Sequence, residues 1–220
     1  MLEGLIDFWN HLHTVKGLTE LIQTGGLVVL LLIIFAETGL LIGFFLPGDS
    51  LLVTAGVLSI ANKDRPAYFN VWTLIILLII AAVIGNQLGW WLGKNLGQRV
   101  ENKPDSLFFK KKYIQEADEH FRDNGSLSLV IARFIPIMRT FVPFVAGMAH
   151  MTGIRFLKWN IIGAVIWITS LVGIGYFIGQ TELADNLHKI ILLVIVISFL
   201  PLAWKIIRRL LKPGTQEPKA

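Results

Sequence analysis

The stretch Gly25 to Asn62 constrains this chain more than any other, because it sets two acids, Glu37 and Asp49, in an otherwise uncharged apolar run. A carboxylate at the centre of a bilayer costs about 2.5–3.5 kcal/mol by insertion scales, so an acid kept there points to function. Pro47 and Gly48 interrupt the run where a membrane-spanning helix would want neither. Broken backbone at membrane depth survives only inside protein or beside a water-filled cavity. The segment therefore reads as a re-entrant hairpin, helix in and helix back, with Leu46, Pro47, Gly48 and Asp49 near its tip.

Composition agrees with a membrane setting. Of 220 residues 54% are hydrophobic and only 16% charged, and a mean hydropathy of +0.65 is far too apolar for a soluble domain of this size. The absence of cysteine excludes disulfides and thiol-ligated metals. The opening residues lack a basic segment followed by an apolar core, so no cleaved signal peptide is expected. Leu5, Phe8, Trp9, Leu12 and Val15 instead recur at helical spacing among polar residues, which predicts an amphipathic interfacial helix over 1–24.

From 25 to 210 the chain reads as one polytopic domain. Hairpin 1 covers 25–62, and the uncharged run 71–93 follows, roughly 34 Å as a helix and long enough to span. A polar connector over 94–125 then carries Lys110, Lys111 and Lys112, which are suited to anionic lipid headgroups. Residues 126–154 are apolar except for Arg133 and Arg139 and are broken by Pro136, Pro143 and Gly147, which predicts a second hairpin. Spans are expected over 159–180 and 187–207, with a disordered tail over 211–220.

Lysine and arginine placement orients the chain. Leaving aside Arg133 and Arg139, fourteen basic residues lie in the connector, the 153–158 turn and the chain from Lys205 onward, against four in the remaining segments. The positive-inside rule puts the fourteen in the cytoplasm, together with the C-terminus, and requires each hairpin to enter and leave on one side. Each hairpin ends in Ala-Gly, at Ala55-Gly56 and Ala146-Gly147, and precedes a span closing in similar steps, LGWWLGK from Leu88 and IGYFIGQ from Ile174. The expected fold is thus an all-α membrane protein: an inverted repeat of two re-entrant helical hairpins plus transmembrane helices, with an N-terminal interfacial helix. Glycines at four-residue spacing also serve simple helix packing, and Gly85, Gly89, Gly93 and Gly97 invite that plainer reading.

The acids lie in one hairpin and the guanidiniums in the other. Arginine stays charged and suits bidentate contact with phosphate or carboxylate, so Arg133 and Arg139 need an anion. Glu37 and Asp49 could supply it if the hairpin tips meet, or a substrate phosphate could. An exchange between the two would couple proton movement at Glu37 or Asp49 to phosphate movement, because a carboxylate leaving a cation takes up a proton more readily. The plainer alternative is a static salt-bridge network. Pro47, Gly48, Pro136 and Pro143 are assigned to shaping the hairpins. His11, His13, His120 and His188 read as solvated, and His150, at the exit of hairpin 2, is a weaker proton or substrate candidate. No metal or cofactor site and no nucleic-acid partner is expected.

The motifs E-T-G-L and F-L-P-G-D-S within Glu37 to Ser50, with R-F-I-P-x-x-R-T-x-x-P-x-x-A-G over Arg133 to Gly147, resemble the DedA family of bacterial inner-membrane proteins, which share a domain with eukaryotic lipid scramblases. The resemblance runs from about Gly25 to the last span. It implies two opposed re-entrant hairpins, dependence on the proton motive force and a role in envelope integrity. Members are implicated in returning undecaprenyl phosphate across the cytoplasmic membrane, and others in moving phospholipids. The family's essential acids correspond to Glu37 and Asp49, and its essential arginines to Arg133 and Arg139. The expected function is therefore proton-coupled flipping of a polyisoprenyl phosphate, with a phospholipid scramblase or a proton-coupled small-ion antiporter as alternatives. An enzyme is not expected, since no nucleophile has a suitably spaced histidine and acid.

Overall fold

The computed structural model describes residues 15–41, 43, 46–61, 66–101, 117, 121 and 125–181. The interfacial helix expected over 1–24 falls mostly outside these residues. The body of the connector, the span over 187–207 and the tail lie outside them as well.

Six helices are present among the described residues, and no strand. They are α1 (Val15–Gly39), α2 (Gly48–Leu58), α3 (Val71–Glu101), α4 (Gly125–Ala132), α5 (Pro136–Met148) and α6 (Gly153–Gly179). α1 is bent at Gly26, whose φ of +59° is a left-handed conformation open mainly to glycine. That bend falls next to the boundary expected between the interfacial segment and hairpin 1. Asn70 starts α3 by accepting from the Trp72 and Thr73 amides at 3.0 and 3.2 Å, a side-chain cap for donors that a helix start leaves open.

Lengths divide the helices into two kinds. α3, with 31 residues, and α6, with 27, reach roughly 46 and 40 Å at the helical rise. α2, α4 and α5 have 11, 8 and 13 residues and cannot cross a hydrocarbon layer about 30 Å thick. α3 and α6 both begin or end beyond their expected limits. α3 continues past Gly93 to Glu101 because Gly93 and Gly97 stay helical and no proline intervenes, and Lys94 keeps its ammonium 5.4 Å from the Trp90 ring centroid. α6 starts at Gly153, taking Arg155 and Lys158 into its first turns.

The long helices are apolar outside as well as inside. Less than half of either apolar window is buried, and Trp72, Ile76, Ile80 and Ile84 form an exposed stripe along α3. A soluble core helix would hide such a stripe, whereas hydrocarbon solvates it.

Packing exchanges arms between the two halves. α1 and α4 lie on the long helix that follows each, α3 and α6 respectively, while α2 packs on α6 and α5 on α3. Glycines set the close approaches: a side chain at Gly93 would strike the Phe144 carbonyl, and one at Gly175 the Val53 carbonyl. Gly56 and Gly147 return the contact, against Val172 and Trp90. By contact, Gly93 and Gly97 hold the places that Gly175 and Gly179 hold in the other half, one helical turn along from the pairing that the LGWWLGK and IGYFIGQ steps suggest. Small residues allow such backbone contact, which drives helix association where lipid removes the hydrophobic term.

Candidate functional site

The two breaks, between α1 and α2 and between α4 and α5, bring the four charged residues together. Pro47 precedes the first residue of α2 and Pro136 opens α5, where a missing N–H is least felt. Arg133 lies in the turn between α4 and α5, and Arg139 in the first turns of α5, with its amide bonded to the Ile135 carbonyl at 2.9 Å. Pro143, expected to shape a hairpin, sits instead inside α5, which runs through it to Met148. A proline within a helix forgoes one bond without having to end it.

Arg139 is clasped by both acids. Its Nη2 donates to Glu37 Oε1, and its Nη1 donates to Asp49 Oδ1 at 2.6 Å. The guanidinium and Glu37 are almost fully buried, and Asp49 retains slight exposure. Gly48 matters here through closeness: a Cβ at this position would overlap the Glu37 carboxylate. Trp167 on α6 completes the cluster, donating from its indole N–H to Asp49 Oδ1 at 3.0 Å and placing its ring centroid 4.6 Å from the Arg139 guanidinium carbon.

Arg133 is held differently. It is 1% exposed, and no acid pairs with it among the described residues. Its Nη2 donates to the backbone carbonyl of Asn160 at 3.2 Å and to that residue's Oδ1. The Asn86 amide suits Thr38 and Arg133 with its nitrogen toward the Thr38 carbonyl and its oxygen toward Arg133 Nη2, each at 2.8 Å; the reverse orientation donates to Asn160 Oδ1 at 3.2 Å but sets donor against donor at Arg133. Asn160 is fixed in turn by donating to the Val83 carbonyl at 3.0 Å. Among the described residues, Arg133 Nε and Nη1 are buried without a partner. Both acids therefore serve Arg139, and neither pairs with Arg133.

Four contributors escaped the sequence reading: Thr38, Asn86, Asn160 and Trp167. Asn86 and Asn160 are amides inside uncharged apolar spans, which is the signal that could have marked them. Asn160, Gly163, Ala164 and Trp167 recur at the spacing of one helix face, and all four are buried. His150 is exposed at the end of α5 with φ +55°, and the Met151 amide bonds back to the Ala146 carbonyl at 3.2 Å. That is a left-handed helix ending, away from the charged cluster.

A VTT domain model matches residues 46–177, a range holding every residue of the cluster except Glu37 and Thr38. The protein DedA of Escherichia coli strain K12 is 39% identical over 209 residues, covering 93% of each chain. An uncharacterised membrane protein of Mycobacterium tuberculosis strain H37Rv is 40% identical over 173 residues, 78% of this chain and 74% of the relative. The inner membrane protein YqjA of Escherichia coli strain K12 is 37% identical over 155 residues, 70% of this chain and 67% of the relative. No solved structure matches the chain.

Proposed function

The chain belongs to the VTT-domain, or DedA, family of membrane proteins, and from that premise we propose that it flips a polyisoprenyl phosphate across the cytoplasmic membrane, coupled to protons. The observation that carries this reading is Arg133: a buried guanidinium without an acidic partner among the described residues, beside a second arginine that two carboxylates already hold. A buried charge without a partner is costly, and an arriving lipid phosphate would relieve it while the lipid tail stays in the bilayer. Undecaprenyl phosphate is the carrier that the family resemblance suggests.

In this mechanism Arg139 is the movable part. A phosphate drawn toward the guanidiniums competes with Glu37 and Asp49 for Arg139, and the carboxylate that lets go takes up a proton. Losing the proton again restores the clasp and releases the phosphate. Re-entrant hairpins related by an inverted repeat suit such a site; the short α2, α4 and α5 and the exchanged packing of α2 and α5 favour that arrangement. The basic connector and tail favour a cytoplasmic C-terminus in the inner membrane.

Leaflet-to-leaflet movement of undecaprenyl phosphate in proteoliposomes, with and without an imposed pH gradient, tests the reading. Movement that accelerates with the gradient and disappears in Glu37→Gln and Arg139→Ala is the expected result. Movement indifferent to the gradient would indicate a passive scramblase. Well-folded protein that moves no lipid but produces cation-dependent pH changes would replace the proposal with a small-ion antiporter.

A further inference from the structure

We propose that Asn86 and Asn160 make Arg133 the anion receptor of the site, by fixing its guanidinium without neutralising it. This deepens the lipid-phosphate reading and rests on it. Among the described residues, every acceptor around Arg133 is a neutral oxygen: the Asn160 carbonyl, the Asn160 amide and the Asn86 amide. An aspartate at either position would be nearly the same shape and would bring a carboxylate to the same nitrogen. The chain has amides at both positions, from two different helices, while its two nearby acids converge on the other arginine.

Neutral support leaves Arg133 its full charge and two nitrogens, Nε and Nη1, with hydrogens still to give. The α6 face is cut to hold it. A Cβ at Gly163 would lie 2.9 Å from Arg133 Cδ and 3.0 Å from Nε, so glycine makes room for the arginine stem. One turn on, the Trp167 ring centroid lies 5.9 Å from the Arg133 guanidinium carbon, and a ring face attracts a cation without cancelling its charge. Arg139, clasped twice, is the poorer receptor at rest. A phosphate monoester is the ligand class suited to a buried guanidinium with open donors.

Thermal unfolding of the full chain in neutral detergent, titrated with dodecyl phosphate or with inorganic phosphate, decides the matter. Wild type is expected to be stabilised by dodecyl phosphate. Asn160→Asp and Asn86→Asp are each expected to unfold near the wild-type temperature without probe and to bind it at least tenfold more weakly, as does Arg133→Gln. If one aspartate variant fails to fold, the other decides. Undiminished probe binding in a folded aspartate variant overturns the inference and leaves the lipid-phosphate reading standing. Stabilisation by inorganic phosphate alone, lost in the aspartate variants, keeps the receptor and removes the lipid. No stabilisation of wild type by either probe overturns both.

Discussion

Arg133 and Arg139 come from one broken segment, both buried and both near the ring of Trp167, yet their surroundings differ in kind. Arg139 is held by charge, from Glu37 and Asp49; Arg133 is held by amides and a carbonyl. The difference teaches that burial does not assign one role to a cation. A guanidinium matched by carboxylates is neutralised where it sits, whereas one matched only by dipoles keeps its charge uncompensated. The two regions should therefore separate stability from transport.

The widest separation is expected between Arg139→Ala and Arg133→Gln. Removing Arg139 strands two carboxylates and should lower unfolding stability by about 3–5 kcal/mol, whereas Arg133→Gln should cost less than about 2 kcal/mol. Lipid movement in proteoliposomes should be lost in both. Equal destabilisation in detergent melts would break the comparison. Trp167→Phe keeps a ring over the guanidiniums but removes the donor to Asp49, for an expected loss of about 1.5–3 kcal/mol, the range for hydrogen bonds to charged groups. That loss should vanish in an Asp49→Ala background, which leaves the indole no acceptor there, and a double-mutant cycle would read it.

Two glycines offer a finer test. Gly48→Ala forces a methyl into the Glu37 carboxylate, and overpacking of that sort costs about 1–3 kcal/mol. Gly163→Ala presses on the stem and Nε of Arg133 and meets backbone only at ordinary contact distance, so its loss of stability should be the smallest, about 1 kcal/mol. Phosphate-lipid movement should nonetheless slow in Gly163→Ala, because the guanidinium is displaced from its amides. A Gly163→Ala protein that transports like wild type would show that the placement of Arg133 is not critical.

Much of this was legible in the chain. Charges in apolar runs stand out, so Glu37, Asp49, Arg133 and Arg139 could be named, and Pro47, Gly48 and Pro136 marked the helix breaks. The partners could not be read, because sequence carries no distances: nothing in it says that Asp49 and Glu37 share one guanidinium across separations of 90 and 102 residues. Asn86 and Asn160 gave only the weaker signal of an amide in an apolar span, and Trp167 blends with the aromatic residues that any span can carry. Pro143 misled for the opposite reason, since proline signals a break that α5 does not make. The end of α3 was misplaced because charge was taken as the helix limit, although backbone bonding continues through Lys94.

The exchanged arms also bear on biogenesis. α2 packs on α6, which leaves the ribosome last among the described helices, and α5 packs back on α3. The first half of the chain therefore enters the membrane before the surface that receives α2 exists. Its two acids likewise precede the guanidinium that will clasp them. Assembly is a closing step, in which the arrival of α5 and α6 docks the waiting arm and locks the ion cluster together, so a chain cut short before Arg139 should leave α2 without its seat.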